Sequence, residues 1–157
     1  MTIASYIGMV LRIMVLMADF THILATRPDF TESDREWLHH LVADWQVIAD
    51  LSFADLLLIV QDGDGNYRIV EQCRPSTVMT LRIDDAVGAL VAPEMVGELD
   101  AAMQSKTVFR STVLRAVGKS TVCNVYAPVR HDGKTLGLVV RETNMATVSY
   151  THLRAHE

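Results

Sequence analysis

The side chains that could carry chemistry in this sequence are few and scattered. His39 and His40 are adjacent, with Glu36 before them and Leu41, Val42, Asp44 and Trp45 after. On a helix His40 falls about 200° around from Leu38, on the polar face, where an exposed imidazole can accept a phosphoryl group. Cys73 is followed by Arg74, whose guanidinium would favour a reactive or metal-binding thiolate. The plainer reading, which carries more weight, is an inert strand cysteine beside an arginine in a surface ion pair. Cys123 alternates with Val125, Ala127 and Val129 and reads as core filling. Asp84 and Asp85 are consecutive and so point apart, which favours a solvated turn over an acid–base pair. Asp62, Asp64 and Asn66 mimic the start of a calcium loop, but Ile69 and Val70 follow and the distal bidentate glutamate is missing, so they read as a turn. His152 and His156 have the i,i+4 spacing of a helical metal pair. The serines and threonines form no nucleophilic triad signature.

Such residues need elements to hold them. The chain has 157 residues, 50% hydrophobic and 21% charged, which suits one domain with a real core and excludes disorder. A formal net charge of −5 without a Lys/Arg cluster argues against a general nucleic-acid binder. The two cysteines and the lack of a signal peptide fit a reduced, cytoplasmic protein.

The two ends differ from the middle. Residues 2–16 are apolar but shorter than the roughly 20 residues a membrane span needs, and Arg12 interrupts them. The favoured reading is a mis-assigned start, with translation beginning at Met17. An interfacial anchor and a membrane span are the alternatives. Residues 148–157 continue neither strand alternation nor a helical stripe. They resemble translated sequencing-adapter read-through, a reading that outweighs a metal pair at His152 and His156. The expected division is therefore 1–16 leader, 17–146 domain with a core at 33–144, and 147–157 a non-native tail.

Between these ends the pattern is that of an α+β unit. Residues 18–27 suggest a short helix stopped by Pro28. Thr31 with Asp34, and Ser33 with Glu36, offer overlapping capping boxes. Leu38, Leu41, Val42, Trp45, Ile48 and Ala49 then recur at helical spacing, predicting one amphipathic helix to about Leu51. Val47 and Leu51 widen its apolar face, as packing against a second subunit would require. Residues 56–60 are a continuous apolar run, a strand covered on both faces. The Gly-rich turn at 62–66 makes a hairpin with residues 67–73. Residues 78–83 alternate as a further strand. Pro93 opens a second helix, 107–110 form a short strand, and His131 to Lys134 turn a second hairpin. The expected fold is α+β, a mixed antiparallel sheet flanked by helices.

The segment from Leu41 to Val60, followed by Gln72-Cys-Arg-Pro-Ser-Thr77, resembles the N-terminal GAF-type sensor domains of actinobacterial cytosolic two-component histidine kinases of the PdtaS type. Asp84 to Gly88, Leu99 to Ala102 and Val140-Arg141 fit the same domain, so the likeness covers roughly 33–144. Val78 and Met79 depart from it where the family tends to have Gly-Pro. The resemblance implies a GAF fold and a non-catalytic, signal-input role in regulating a kinase core. It also implies downstream PAS-like, phosphoacceptor and ATP-binding domains, homodimerisation, and a response regulator whose output is RNA-binding. Family pockets lie between the sheet and its covering connections, which makes Cys73, Arg74, Asn124 and Tyr126 the candidate ligand residues, with no cofactor or metal assigned. The rival reading is a stand-alone phosphotransfer protein using His40. The histidine pair looks like a phosphoacceptor box, but Leu41 replaces its basic residue and Asp44-Trp45 its Asn pair.

Overall fold

The structure is a computed structural model that describes residue 7, residues 20–82 and residues 84–146. The terminal expectations, including His152 and His156, lie outside the described residues. Five strands form one sheet in the order β2-β1-β5-β4-β3, with every pairing antiparallel. The strands are β1 (Asp55–Gln61), β2 (Tyr67–Cys73), β3 (Phe109–Val117), β4 (Ser120–His131) and β5 (Lys134–Asn144). The helices are α1 (described over residues 20–25), α2 (Glu32–Ala43), α3 (Trp45–Ser52) and α4 (Val96–Gln104). A 3-10 turn at Pro93–Met95 leads into α4.

Strand alternation gives each face its own core. Leu56, Leu58 and Val60 turn towards Phe20, Ile23 and Leu24 of α1, Leu38 of α2, and Trp45 and Ala49 of α3. Leu57 and Ile59 turn the other way, with Tyr126, Leu138 and Val140, towards Met95, Leu99 and Ala102. This explains the unbroken apolar run of β1, which is covered on both sides. Gly137 of β5 lets β1 pass close by: a Cβ there would stand 2.6 Å from the Ile59 carbonyl oxygen.

The N-terminus of α2 is fastened to the β4–β5 hairpin through one buried carboxylate. Thr31 and Asp34 form the capping box, and Asp34 also takes Lys134 Nζ at 2.7 Å and His131 Nδ1 at 3.0 Å. Trp37 stacks on the His131 ring at 5.1 Å between centroids. Burial alone would raise the Asp34 carboxyl, but the bonds from Lys134, His131 and Thr31 outweigh it and hold it far below its ordinary value.

Three expectations need correction. The single helix to Leu51 is broken at Asp44, whose N–H bonds to the Val42 carbonyl, and the restart turns Trp45 and Ala49 inward. Ile48, expected on the buried stripe, is 47% exposed and joins Val47, Leu51 and Phe53 on an uncovered face. Residues 78–82 form no strand, and Met79 is 90% exposed. The backbone there is held by side chains instead of a ladder. Finally, β3 runs on to Val117 and turns into β4 through Gly118 at φ 59°, so a third hairpin replaces the short strand expected at 107–110.

Candidate functional site

Two buried carboxylates stand side by side on the central strands, since Asp55 of β1 pairs directly with Glu142 of β5. Both reach into the long connection between β2 and α4. Asp55 accepts the Thr80 hydroxyl proton and, at 2.8 Å, the Leu81 N–H. Glu142 receives a two-pronged ion pair from Arg82, Nε at 2.6 Å and Nη2 at 2.8 Å. These bonds hold the Arg82 guanidinium above its ordinary pKa, and the charge of Asp55 adds to the effect. Arg74 spans the bend from its other end, donating to the Arg82 and Asp84 carbonyls, each at 2.8 Å. Asp50 of α3 takes the Ser76 N–H and hydroxyl. Asp55, Arg74 and Asp50 thus bond backbone groups of the connection and Glu142 anchors it through the Arg82 side chain, which is why an alternating segment fails to become a strand.

Where Arg82 and Ala92 of this connection approach β3, β4 and β5 lies an open cavity of about 550 Å³, lined also by Met95, Leu114, Arg115, Asn124 and Glu142, among others. Asn124 pairs directly with Glu142 across β4 and β5, so the two side chains share this face. A relay of hydrogen bonds runs behind them. Tyr126 donates its hydroxyl proton to Glu98 Oε2 at 2.7 Å and accepts Asn124 Nδ2–H at 3.2 Å. Glu98 also takes the Ser111 hydroxyl at 2.8 Å and Arg115 Nη2 at 3.3 Å. Burial would raise the Glu98 carboxyl, yet the bonds from Tyr126, Ser111 and Arg115 bring it below its ordinary value. The Tyr126 phenol is pushed up to about 12, chiefly by burial.

A second cavity, about 640 Å³, lies between α1 and the β1–β2 hairpin and is lined by His22, Thr26, Asp62 and Arg68, among others. Its inner polar groups are committed to one another. Asp62 accepts the Asp64 and Asn66 N–H groups and Arg68 Nε at 2.7 Å, while Arg68 also donates to the Gly88 carbonyl. The Asp62–Asn66 segment is accordingly a turn. By contrast, two residues that line the smaller cavity, Asn124 and Arg115, each carry a buried side-chain atom, Oδ1 and Nε, that lacks a partner among the described residues. It is the better candidate site although it is the smaller.

The four residues singled out from sequence do not form one site. Asn124 lines this cavity, and Tyr126, which accepts its Nδ2–H, lies in the apolar core under α4. Cys73 packs on the opposite face, beside the α1–α3 core, with its Sγ 3.7 Å from Gln46 Oε1. A thiolate favoured by Arg74 is not what the structure places there. Burial pushes the Cys73 thiol up, and the charges of Asp50, Glu71 and Asp55 push the same way, while Arg74 donates to the Arg82 and Asp84 carbonyls. Cys123 is buried, as expected of core filling. His40 is exposed on α2, but α3 and then β1 follow where a phosphoacceptor helix would lead into a second long helix. Sequence reasoning missed Arg82, Arg115, Glu98 and Glu142. Glu142 was the most findable, since it is a carboxylate in step with the apolar inward residues Leu136, Leu138 and Val140 of β5.

The model of the GAF domain of the histidine kinase PdtaS matches residues 20–156. The sensor histidine kinase PdtaS of Mycolicibacterium smegmatis is 32% identical over 133 residues, covering 83% of this chain and 27% of that protein. Its namesake in Mycobacterium tuberculosis is 35% identical over 120 residues, covering 76% of this chain and 22% of that protein. A solved structure of the sensor region of a sensor histidine kinase aligns with a TM-score of 0.62 at 30% identity, over 80% of this chain and 41% of that one. The chain thus spans about a quarter of the length of the curated relatives it matches. With the five-stranded antiparallel sheet and its two helical faces, these likenesses establish that the chain belongs to the family of GAF domains of PdtaS histidine kinases.

Proposed function

We propose that this domain is the signal-input unit of a cytoplasmic two-component histidine kinase and that the cavity under the 74–92 connection is where the signal binds. The observation that carries the reading is the Arg82–Glu142 pair, which ties the connection at the rim of the cavity to β5, the last of the described strands. A ligand that displaces or tightens the roof acts on Glu142, and so on β5 and the chain that follows it. Regulation requires that the ligand bind the two roof positions with different affinity. A tenfold difference corresponds to about 1.4 kcal/mol of coupling. Asn124 serves in the cavity with Tyr126 holding its amide from behind, whereas Cys73 and Arg74 form the hinge at which β2 gives way to the connection. The domain has no catalytic role in this scheme. Kinase chemistry, with PAS-like and ATP-binding domains and a response regulator as partners, belongs to the parent protein. The uncovered face of Val47, Ile48, Leu51 and Phe53 supports pairing with a second copy in that dimer.

The test is a chimaera in which residues 20–146 replace the matching region of the Mycolicibacterium smegmatis kinase. Autophosphorylation should persist and should change at least threefold on Arg82→Met, with His40→Gln leaving it unchanged. Equal activity in the parent chimaera and its Arg82→Met form would refute the input role of the cavity. Loss of phosphate with His40→Gln would favour phosphotransfer instead.

A further inference from the structure

We propose that the open cavity receives an extended peptide of another protein, acidic at its ends, which adds a sixth strand to the sheet along the outer edge of β3. This deepens the reading of the cavity as the input site by naming the class of its ligand, and it rests on that reading. The placement of the cavity carries the first step. Every residue from Val113 to Gly118 lines it. Successive strand residues face opposite sides of a sheet, so a cavity confined to one face would meet only every second one. This cavity therefore opens along the edge, where the backbone of β3 runs.

The sheet has a covered edge and an open one. Along β2 the cover is residues 88–91: Ile69 N–H donates to the Ala89 carbonyl, Gly88 N–H to the Ile69 carbonyl and Val91 N–H to the Tyr67 carbonyl. On the other side, the ladder of β3 with β4 closes at Val117–Ser120 across the two-residue turn that starts at Gly118. Alternation then gives the bonds to β4 to Val117 and Arg115. Leu114 and Ala116 direct their N–H and C=O groups outward, and among the described residues no backbone group meets them. Leu114 is 56% exposed and Val113 51%. An added strand finds main-chain bonds here, with alternate side chains falling into the cavity on one face and onto Leu114 and Ala116 on the other.

Charge decides the occupant. From Ala101 to His131 the chain carries Lys106, Arg110, Arg115, Lys119 and Arg130 and no Asp or Glu, in a protein of net charge −5. Arg115 is matched by Glu98. Arg110 and Lys119 are exposed and have no ion-pair partner among the described residues. They bracket the open segment, a span that about seven extended residues cover. Two copies of β3 paired edge to edge would set these cations against those of the partner in either direction, which opposes self-pairing. A strand with acidic ends meets both with opposite charge.

The test follows the Leu114 and Ala116 amide signals of the full ¹⁵N-labelled chain while peptides are added at low salt. The probes are acetyl-Glu-Val-Thr-Val-Thr-Val-Glu-amide, the same peptide with lysine ends, and the glutamate form with proline for its central valine. We expect the glutamate peptide to move both signals, to slow their exchange, and to bind about tenfold more tightly than either of the others. Arg110→Glu combined with Lys119→Glu, both at exposed positions, should reverse the preference between glutamate and lysine ends in a protein that keeps a folded spectrum. Equal binding of the proline form overturns the added strand, and a preference untouched by the charge reversal overturns the acidic partner. Protection of the two amides that rises with protein concentration alone would put a second copy on the edge instead. Tighter binding of oligothymidylate than of the glutamate peptide would overturn the proposal in favour of nucleic acid. Silence with every peptide overturns the inference, and the input role is then decided by the chimaeric kinase alone.

Discussion

Arg82→Met removes one half of an ion pair whose other half has nowhere to go. The Glu142 side chain is 1% exposed and that of Arg82 24%, so the carboxylate would be left buried while the arginine end is partly wetted. Stranding a fully buried charge costs about 3–5 kcal/mol, and water reaching the Arg82 side lowers this to about 2–4 kcal/mol. Replacing both partners, as Arg82→Met with Glu142→Leu, removes the stranded charge and should return stability to within about 1 kcal/mol of the parent. Urea unfolding measures both. With a slope of about 2 kcal/mol per molar, the single variant should move the midpoint down by about 1–2 M and the double variant by less than about 0.5 M. A single variant within about 0.5 kcal/mol of the parent, or a double variant at least as unstable as the single, would refute the reasoning that the pair is a buried, mutually dependent unit.

Trp45→Ala should cost about 3–5 kcal/mol in the same assay, because Trp45 is buried at the junction of α3 with α1 and the sheet; an unchanged midpoint would contradict that packing. Asp34→Asn should destabilise by about 1–2 kcal/mol near neutral pH, a figure held down by the 38% exposure of Lys134. Because the folded Asp34 carboxyl lies below its unfolded value, its contribution is present above about pH 4 and fades as the pH falls through the folded value, so parent and variant should converge in acid. Divergence at low pH would be the wrong sign. Cys73 should react with a thiol reagent more slowly in the folded domain than in urea, since burial and nearby carboxylates disfavour its thiolate; faster reaction when folded would overturn those electrostatics.

The elements that local pattern controls were legible in the sequence. The α2 capping box, the Asp62–Asn66 turn and the doubly covered β1 follow from residues close together in the chain. What was not legible depends on partners far apart. Residues 78–83 alternate like a strand, and only Asp55, Arg74 and Glu142, brought in by the sheet, turn them into a roof. Trp45 was correctly expected inside, whereas Ile48 was not correctly placed, because the break at Asp44 resets the helical phase. At the candidate site, alternation put Asn124 and Tyr126 on one face, as found. The Cys73–Arg74 pair drew attention because adjacent residues are visible in sequence, while Arg82 and Glu142 lie 60 residues apart.

The coupling of the cavity roof to the last strand is tested most directly by amide hydrogen exchange on the intact chain, parent against Arg82→Met. Exchange should speed up most in two separate places, residues 78–92 and the Glu142 end of β5, beyond the general increase that the lost stability produces in β3 and in the α2–hairpin clamp at Asp34. Faster exchange confined to 78–92, with β5 as protected as in the parent, would contradict it.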